Sequence, residues 1–271
     1  MRVIPNDLLA GMIKKHELWL EKKKGGEQLK LKNVVIYDTE IESCNLKDSE
    51  FVDCLFNKVH MKLVKFSSSN LIGCTFRDSH IELCDFKDAQ LCRSTFNKTK
   101  VISFFRNVDM FRSYIVDSDF SNVDFNHGFL QAIVVENSIF NSCCFANVDI
   151  SQSKFEKTDL SKSNFYKANM ENANMVSSKI DECNFEKACL SYAILPERVV
   201  QVGPIGSRRD YTIYWIDKDL VLCGCWNEHK GGTLKEFEER VHETYKAKYD
   251  PFRLQYEAAI AMFKLLRDVE E

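Results

Sequence analysis

Proline and glycine are both scarce in this 271-residue chain, at four and ten residues, which excludes collagen-like and low-complexity chains rich in one or both. Long apolar runs are missing too. None approaches the ~20 residues that a helix needs to cross a bilayer, so no membrane association is expected. The opening MRVIPNDLLAGMIKKHELWL has no basic region leading into a continuous apolar core, which makes it a poor secretory signal and a cytoplasmic location the expectation. Neither sign of charge dominates, since 37 basic and 40 acidic residues leave a net charge of −3, as in an ordinary soluble globular protein. The chain also lacks a Gly-rich phosphate loop, a nucleophile elbow and a His-Glu-x-x-His motif, and its six histidines are scattered. No catalytic residue, cofactor or metal is therefore assigned, and a non-enzyme is expected.

What the chain does have is a period of five. A large apolar residue recurs at Leu31, Ile36, Ile41, Leu46, Phe51, Phe56 and onward to Val101, then, after one four-residue step, from Phe105 to Leu190. Two residues before most of these stands a small one, such as Cys44, Ser49, Cys74, Ser113, Ala168 or Ala188. Helices need apolar residues about every 3.6 positions and half-buried strands every 2, so neither accounts for a period of 5. A solenoid does, if each five-residue side sends one large and one small side chain inward before turning a corner. Taking every fourth unit gives the column Phe66, Phe86, Phe105, Phe125, Phe145, Phe165 and Phe185, which holds only if the four-residue step near Arg106 is a one-residue deletion at a corner.

Units such as Cys74-Thr75-Phe76-Arg77-Asp78 and Cys84-Asp85-Phe86-Lys87-Asp88 resemble the tandem repeats of the pentapeptide-repeat proteins. The resemblance implies a mainly β fold, a right-handed quadrilateral β-helix of about eight coils. The expected organisation is an N-terminal capping helix (1–28), the β-helix (29–194) and a small α/β tail domain (195–271), the tail resembling those of bacterial and phage members. In the tail, Val199 to Val202, Tyr211 to Trp215 and Leu220 to Trp226 read as strands, and Thr233-Leu234-Lys235-Glu236 as a capping box opening a helix. Pro251 separates that helix from a last one. At the other end, Asn6 to about Lys23 reads as an amphipathic helix plugging the rod. Six of the eleven cysteines occupy the small inward position, where they serve as compact apolar residues.

Function is read from departures from the pattern. Between Asn107 and Ser153 the only Lys or Arg is Arg112, against Asp109, Asp117, Asp119, Asp124, Glu136 and Asp149, an acidic girdle for a partner. Resemblance to quinolone-resistance members implies a DNA mimic acting on a type II topoisomerase such as gyrase, with no direct nucleic-acid binding. The repeats carry 22 acidic against 18 basic residues from Leu31 to Leu190, few for duplex phosphate density. Apolar Phe129, Val134 and Ile139, with Tyr114, stand where outward polar residues are expected and suggest a protein interface or homodimer contact. Arg208 and Arg209 could hold an anion. Cys223, Cys225 and His229 form an incomplete ligand set, short of a fourth donor. His60 and His80 fall on one outward column, where an incidental polar ladder is the favoured reading and a metal or pH-sensing role the alternative. The expectation is a rigid, non-catalytic rod that binds or inhibits a host protein through its lateral faces.

Overall fold

The computed structural model describes residues 1–269 apart from Glu197, Cys225 and Lys230, and leaves the side chains of Glu228 and His229 undescribed. Its body is a parallel β-solenoid in which each side pairs with the side one coil further on. Along one column, Val35, Leu55, Thr75 and Thr95 are successive partners, followed by Tyr114, Val134, Lys154, Asn174 and Ile194. Every step is twenty residues except Thr95 to Tyr114, which is nineteen.

The large apolar residues fill the interior, and the phenylalanines stack along it. Ring centroids are 5.0 Å apart from Phe66 to Phe86, 4.6 Å from Phe86 to Phe105, 5.1 Å from Phe125 to Phe145, and 4.9 Å from Phe145 to Phe165. Each buried ring is worth roughly 1.5–3 kcal/mol in apolar surface. The small inward residues are satisfied by the backbone they touch: Ser94 Oγ donates to the Leu71 carbonyl, Ser153 Oγ to Leu130 and Ser163 Oγ to Phe140, at 2.7–2.9 Å. Cysteines at this position are free, and burial pushes the Cys84 thiol up to about 11 and Cys143 up to about 12.

Side-chain type contributes to whether a side is a strand or a turn. Where Asn or Asp precedes the large apolar residue, its Oδ1 accepts the backbone N–H two residues on, as Asp85 does from Lys87, Asp109 from Phe111 and Asn164 from Tyr166. That local bond competes with an extended side. Where Thr, Tyr or Val stands there, as in Thr75–Arg77, Thr95–Asn97, Tyr114–Val116 and Val134–Glu136, the side is a strand. Corner residues adopt positive φ and are mostly Asp, Asn, Lys or Ser, short or flexible side chains that tolerate the left-handed region.

The deleted residue lies earlier than the sequence suggests. The register shift falls between the Glu82–Ile102 and Asp85–Phe104 pairs, so two residues, Leu83 and Cys84, oppose the single Ser103. Ser103 takes the small inward role, accepting from Cys84 N and donating to the Ile81 carbonyl. What is missing is the corner residue after Ile102, not one near Arg106.

Both ends are covered. Helix α1 (Asn6–Leu20) is shorter than expected and lays Leu9, Met12 and Ile13 on the first coil. His16, fully buried, pins it: Nε2 donates to the Lys47 carbonyl (2.9 Å) and Nδ1 accepts from Leu29 N (3.0 Å). Gly26 allows the return of the chain, since a Cβ there would lie 2.4 Å from Trp19 N. The two-residue strand Arg2–Val3 pairs with Val34 and Val35 and extends the sheet.

At the far end, Val199–Ile205, Asp210–Trp215 and Leu220–Cys223 form an antiparallel sheet whose last strand stops short of Trp226. Ile213 and Trp215 join the rod's core, with Trp215 5.4 Å from Phe185. Tyr214, between them, points the other way, 5.0 Å from Phe263. Gln201 clamps the last coil, accepting from Leu190 N and donating to the Ala188 carbonyl. Helix α2 (Leu234–Thr244) opens with the expected Thr233–Glu236 capping box, and α3 (Pro251–Arg267) is capped by Asp250.

Candidate binding surfaces

Numbered along the chain, the first face carries the Val35–Val134 column, the second His60, His80, Lys100, Asp119 and Ile139, and the third Asp85, Phe104 and Asp124. The fourth carries Gln90, Asp109, Phe129 and Asp149. The acidic residues therefore encircle the rod. Asp109 and Asp149 share the fourth face, Asp119 is on the second and Asp124 on the third, while Glu136 lies on the first and Asp117 at its corner with the second. Most are committed locally. Asp119 accepts from Ser121 N, Asp124 from Asn126 N and from Arg106 Nε, and Asp149 from Ser151 N, Gln131 Nε2 and Asn169 Nδ2.

The four apolar residues read from the sequence do not make one patch. Tyr114 and Val134 are register partners on the first face. Ile139 is on the second between Asp119 and Asp159, and Phe129 on the fourth between Asp109 and Asp149. Phe129 does share a shallow hollow of about 430 Å³ with Phe111.

A stronger apolar feature surrounds the shortened corner between the second and third faces. Leu63, Leu83, Ile102 and Phe104 are 49, 44, 41 and 51 % exposed. Lys62 pairs in register with Glu82, which pairs with Ile102, while Asp85 pairs with Phe104. Leu63 and Leu83 are corner residues of successive coils, and Ile102 and Phe104 stand on either side of the shortened corner in the next. Leu63 and Leu83 hold φ of 55° and 52°, unfavourable for a large aliphatic side chain. The fold imposes this φ at its corners, so what sets these two apart is the choice of leucine where Asp, Asn, Lys or Ser is usual. The charges around the ridge are mixed: Lys62, Lys65, Lys87 and Lys100 stand there with Glu82 and Asp85, and Lys62 pairs with Glu82 at 3.6 Å. Leu63 and Leu83 carry no signal in the sequence, because a polar corner residue replaced by leucine leaves the period of five intact.

In the tail, a cleft of about 660 Å³ lies between the sheet, α2 and α3. Arg208 lines it and Arg209 does not; Arg209 is exposed at a left-handed turn. The cleft also holds Arg240, but Asp210, Glu236, Glu239 and Glu243 line it too, so carboxylates outnumber guanidinium groups. This charge balance works against anion capture. Cys223 faces the cleft with its thiol raised by burial, its Sγ near Thr212 and Tyr256 hydroxyls. Gly206 permits the close approach of Tyr256, whose hydroxyl oxygen would be 1.9 Å from a Cβ there. The cysteine–histidine grouping with Cys225 and His229 lies outside the described residues.

Coils of five-residue sides, stacked in parallel and closed at both ends, define a quadrilateral β-helical repeat protein. A family model for pentapeptide repeats matches eight copies, over residues 60–97, 143–180 and 158–196. The chain carries the tandem repeats of the pentapeptide-repeat family over these stretches. No curated protein matches it. Among solved structures, full-length QnrB1, a plasmid-mediated fluoroquinolone resistance protein, is 13 % identical over 59 % of this chain and 86 % of its own, with a TM-score of 0.38. Rfr23, a pentapeptide-repeat protein of the cyanobacterium Cyanothece 51142, is 8 % identical over 46 % of this chain and 90 % of its own, with a TM-score of 0.34. Among the described residues no helix is long and apolar enough to cross a membrane.

Proposed function

We propose that the protein is a non-catalytic rod that binds another protein, and that the Leu63–Leu83–Ile102–Phe104 ridge is its principal contact. The observation that carries this is the pair of exposed leucines held at positive φ, where Asn or Asp would fold more easily. Desolvating these apolar side chains supplies the centre of an interface, and the mixed charges around them form its polar rim. DNA mimicry of the kind that would engage a topoisomerase is the second reading. It rests on the acidic girdle, whose carboxylates are divided among four faces and largely engaged in turns.

The test is the double variant Leu63→Asn/Leu83→Asn. It relieves backbone strain, so thermal stability should hold or rise, while a partner captured by the wild-type chain from host lysate should be lost. Retention of that partner, or a fall in stability, would reject the ridge. A gyrase supercoiling assay alongside separates the readings: inhibition that survives the leucine changes but is lost with Asp109→Asn/Asp149→Asn favours mimicry. Light scattering identifies a second copy as the partner.

A further inference from the structure

On the second face, His60 and His80 are register partners one coil apart, their rings stacked at 5.0 Å and within 5° of parallel. Stacking alone would make them the polar ladder that the sequence suggests. However, both Nε2 atoms are buried and neither has a hydrogen-bond partner. Buried ring nitrogens normally find partners, and two side by side ask for a shared one, a water or an ion. Glu82 stands beside them, and the three donor atoms lie within 4.8 Å of one another. His60 Nε2 is 3.9 Å from Glu82 Oε2, too far for a hydrogen bond.

We propose that His60, His80 and Glu82 form a binding site for a divalent transition-metal ion of the zinc type, with water completing the coordination. Two imidazoles and a carboxylate are a donor set suited to such ions. Tetrahedral coordination with bonds of about 2.0–2.2 Å places donors roughly 3.3–3.5 Å apart, so the present spacing needs to close by ~1.5 Å at most. Rotation of exposed-face side chains about χ1 and χ2 provides that, with the rings tilting out of their stack to aim at one point.

The charges nearby are mixed. Burial first, then the His60 imidazole and the Lys100 and Lys62 ammonium groups, lower the His80 pKa, while Glu82 raises it. Glu40 lies one register step below His60, and Lys100 one above His80. Lys62 Nζ is 3.6 Å from Glu82 Oε1 and is the cation that a metal displaces.

Calorimetric titration of the full-length chain with Zn²⁺ should show one equivalent that His60→Gln or His80→Gln weakens by about 100-fold or more, beyond the 10–100-fold typical of an outer-shell loss. Lys62→Met removes the competitor for Glu82 and should tighten binding. Co²⁺ substitution should give a tetrahedral spectrum without thiolate charge-transfer absorption, separating this site from cysteine ligation. Absence of Zn²⁺ binding, binding that survives both histidine changes, or a Co²⁺ spectrum dominated by thiolate would each overturn the proposal. Both positions face outward on a strand, and circular dichroism of the variants verifies that the coil is intact.

Discussion

His16→Leu tests how the rod is closed at its N-terminal end. The imidazole is fully buried, and its two nitrogens serve the Lys47 carbonyl and the Leu29 N–H. Leucine fills a similar volume but leaves both backbone groups without partners, and each buried orphan costs about 1–3 kcal/mol. The expected loss is therefore roughly 2–6 kcal/mol, confined at first to α1 and the first coil. Hydrogen exchange should show it as faster exchange across Asn6–Leu20 with little change around Phe145. A pH signature accompanies it. Because Leu29 N–H donates to Nδ1, the ring must be neutral, and burial holds its pKa below the ordinary 6.5, against the opposing Lys47 carbonyl, Asp48 and Glu17. A depressed histidine pKa contributes stability that is complete above about pH 6.5 and is lost as pH falls through the folded value. The difference between wild type and His16→Leu should shrink on acidification. A change in α1 exchange under about 0.5 kcal/mol, or a wild-type acid loss that persists unaltered in the variant, would refute the pin.

Phe145→Ala should cost about 3–5 kcal/mol in urea unfolding, since it opens a cavity between Phe125 and Phe165, whereas loss below 1 kcal/mol would mean that the stack collapses onto itself. Thr233→Ala removes the side chain that accepts Glu236 N and should destabilise the tail by about 1 kcal/mol, read by thermal melting. Inserting Asn between Ile102 and Ser103 restores a full corner. Folding should survive with stability within about 1 kcal/mol, as surface insertions usually allow, while partner binding through the ridge should fall; unfolding of the variant would show that the short corner is required for folding.

The rod was legible because one side of a coil is encoded within five residues and then repeated. Phe66 to Phe185 form a single column in the sequence and a single stack in space. The caps were legible as elements but not in their attachments. His16 looked like any histidine on a helix, because its partners Leu29 and Lys47 are 13 and 31 residues away. The girdle and the apolar outliers were legible as residues, but faces are assigned by corners, so Phe129, Val134 and Ile139, five apart, fall on successive sides. The ridge stayed hidden because its strain resides in φ, which composition does not report.

The backbone of a coil of constant length repeats at every level, so its outline alone gives a partner no preferred height. The nineteen-residue step interrupts that translational symmetry once, between Glu82 and Phe104. It acts as a single dislocation in an otherwise periodic lattice. A surface complementary to it can dock at one height only, so the loss of one corner residue converts a uniform column into a ruler with a zero mark.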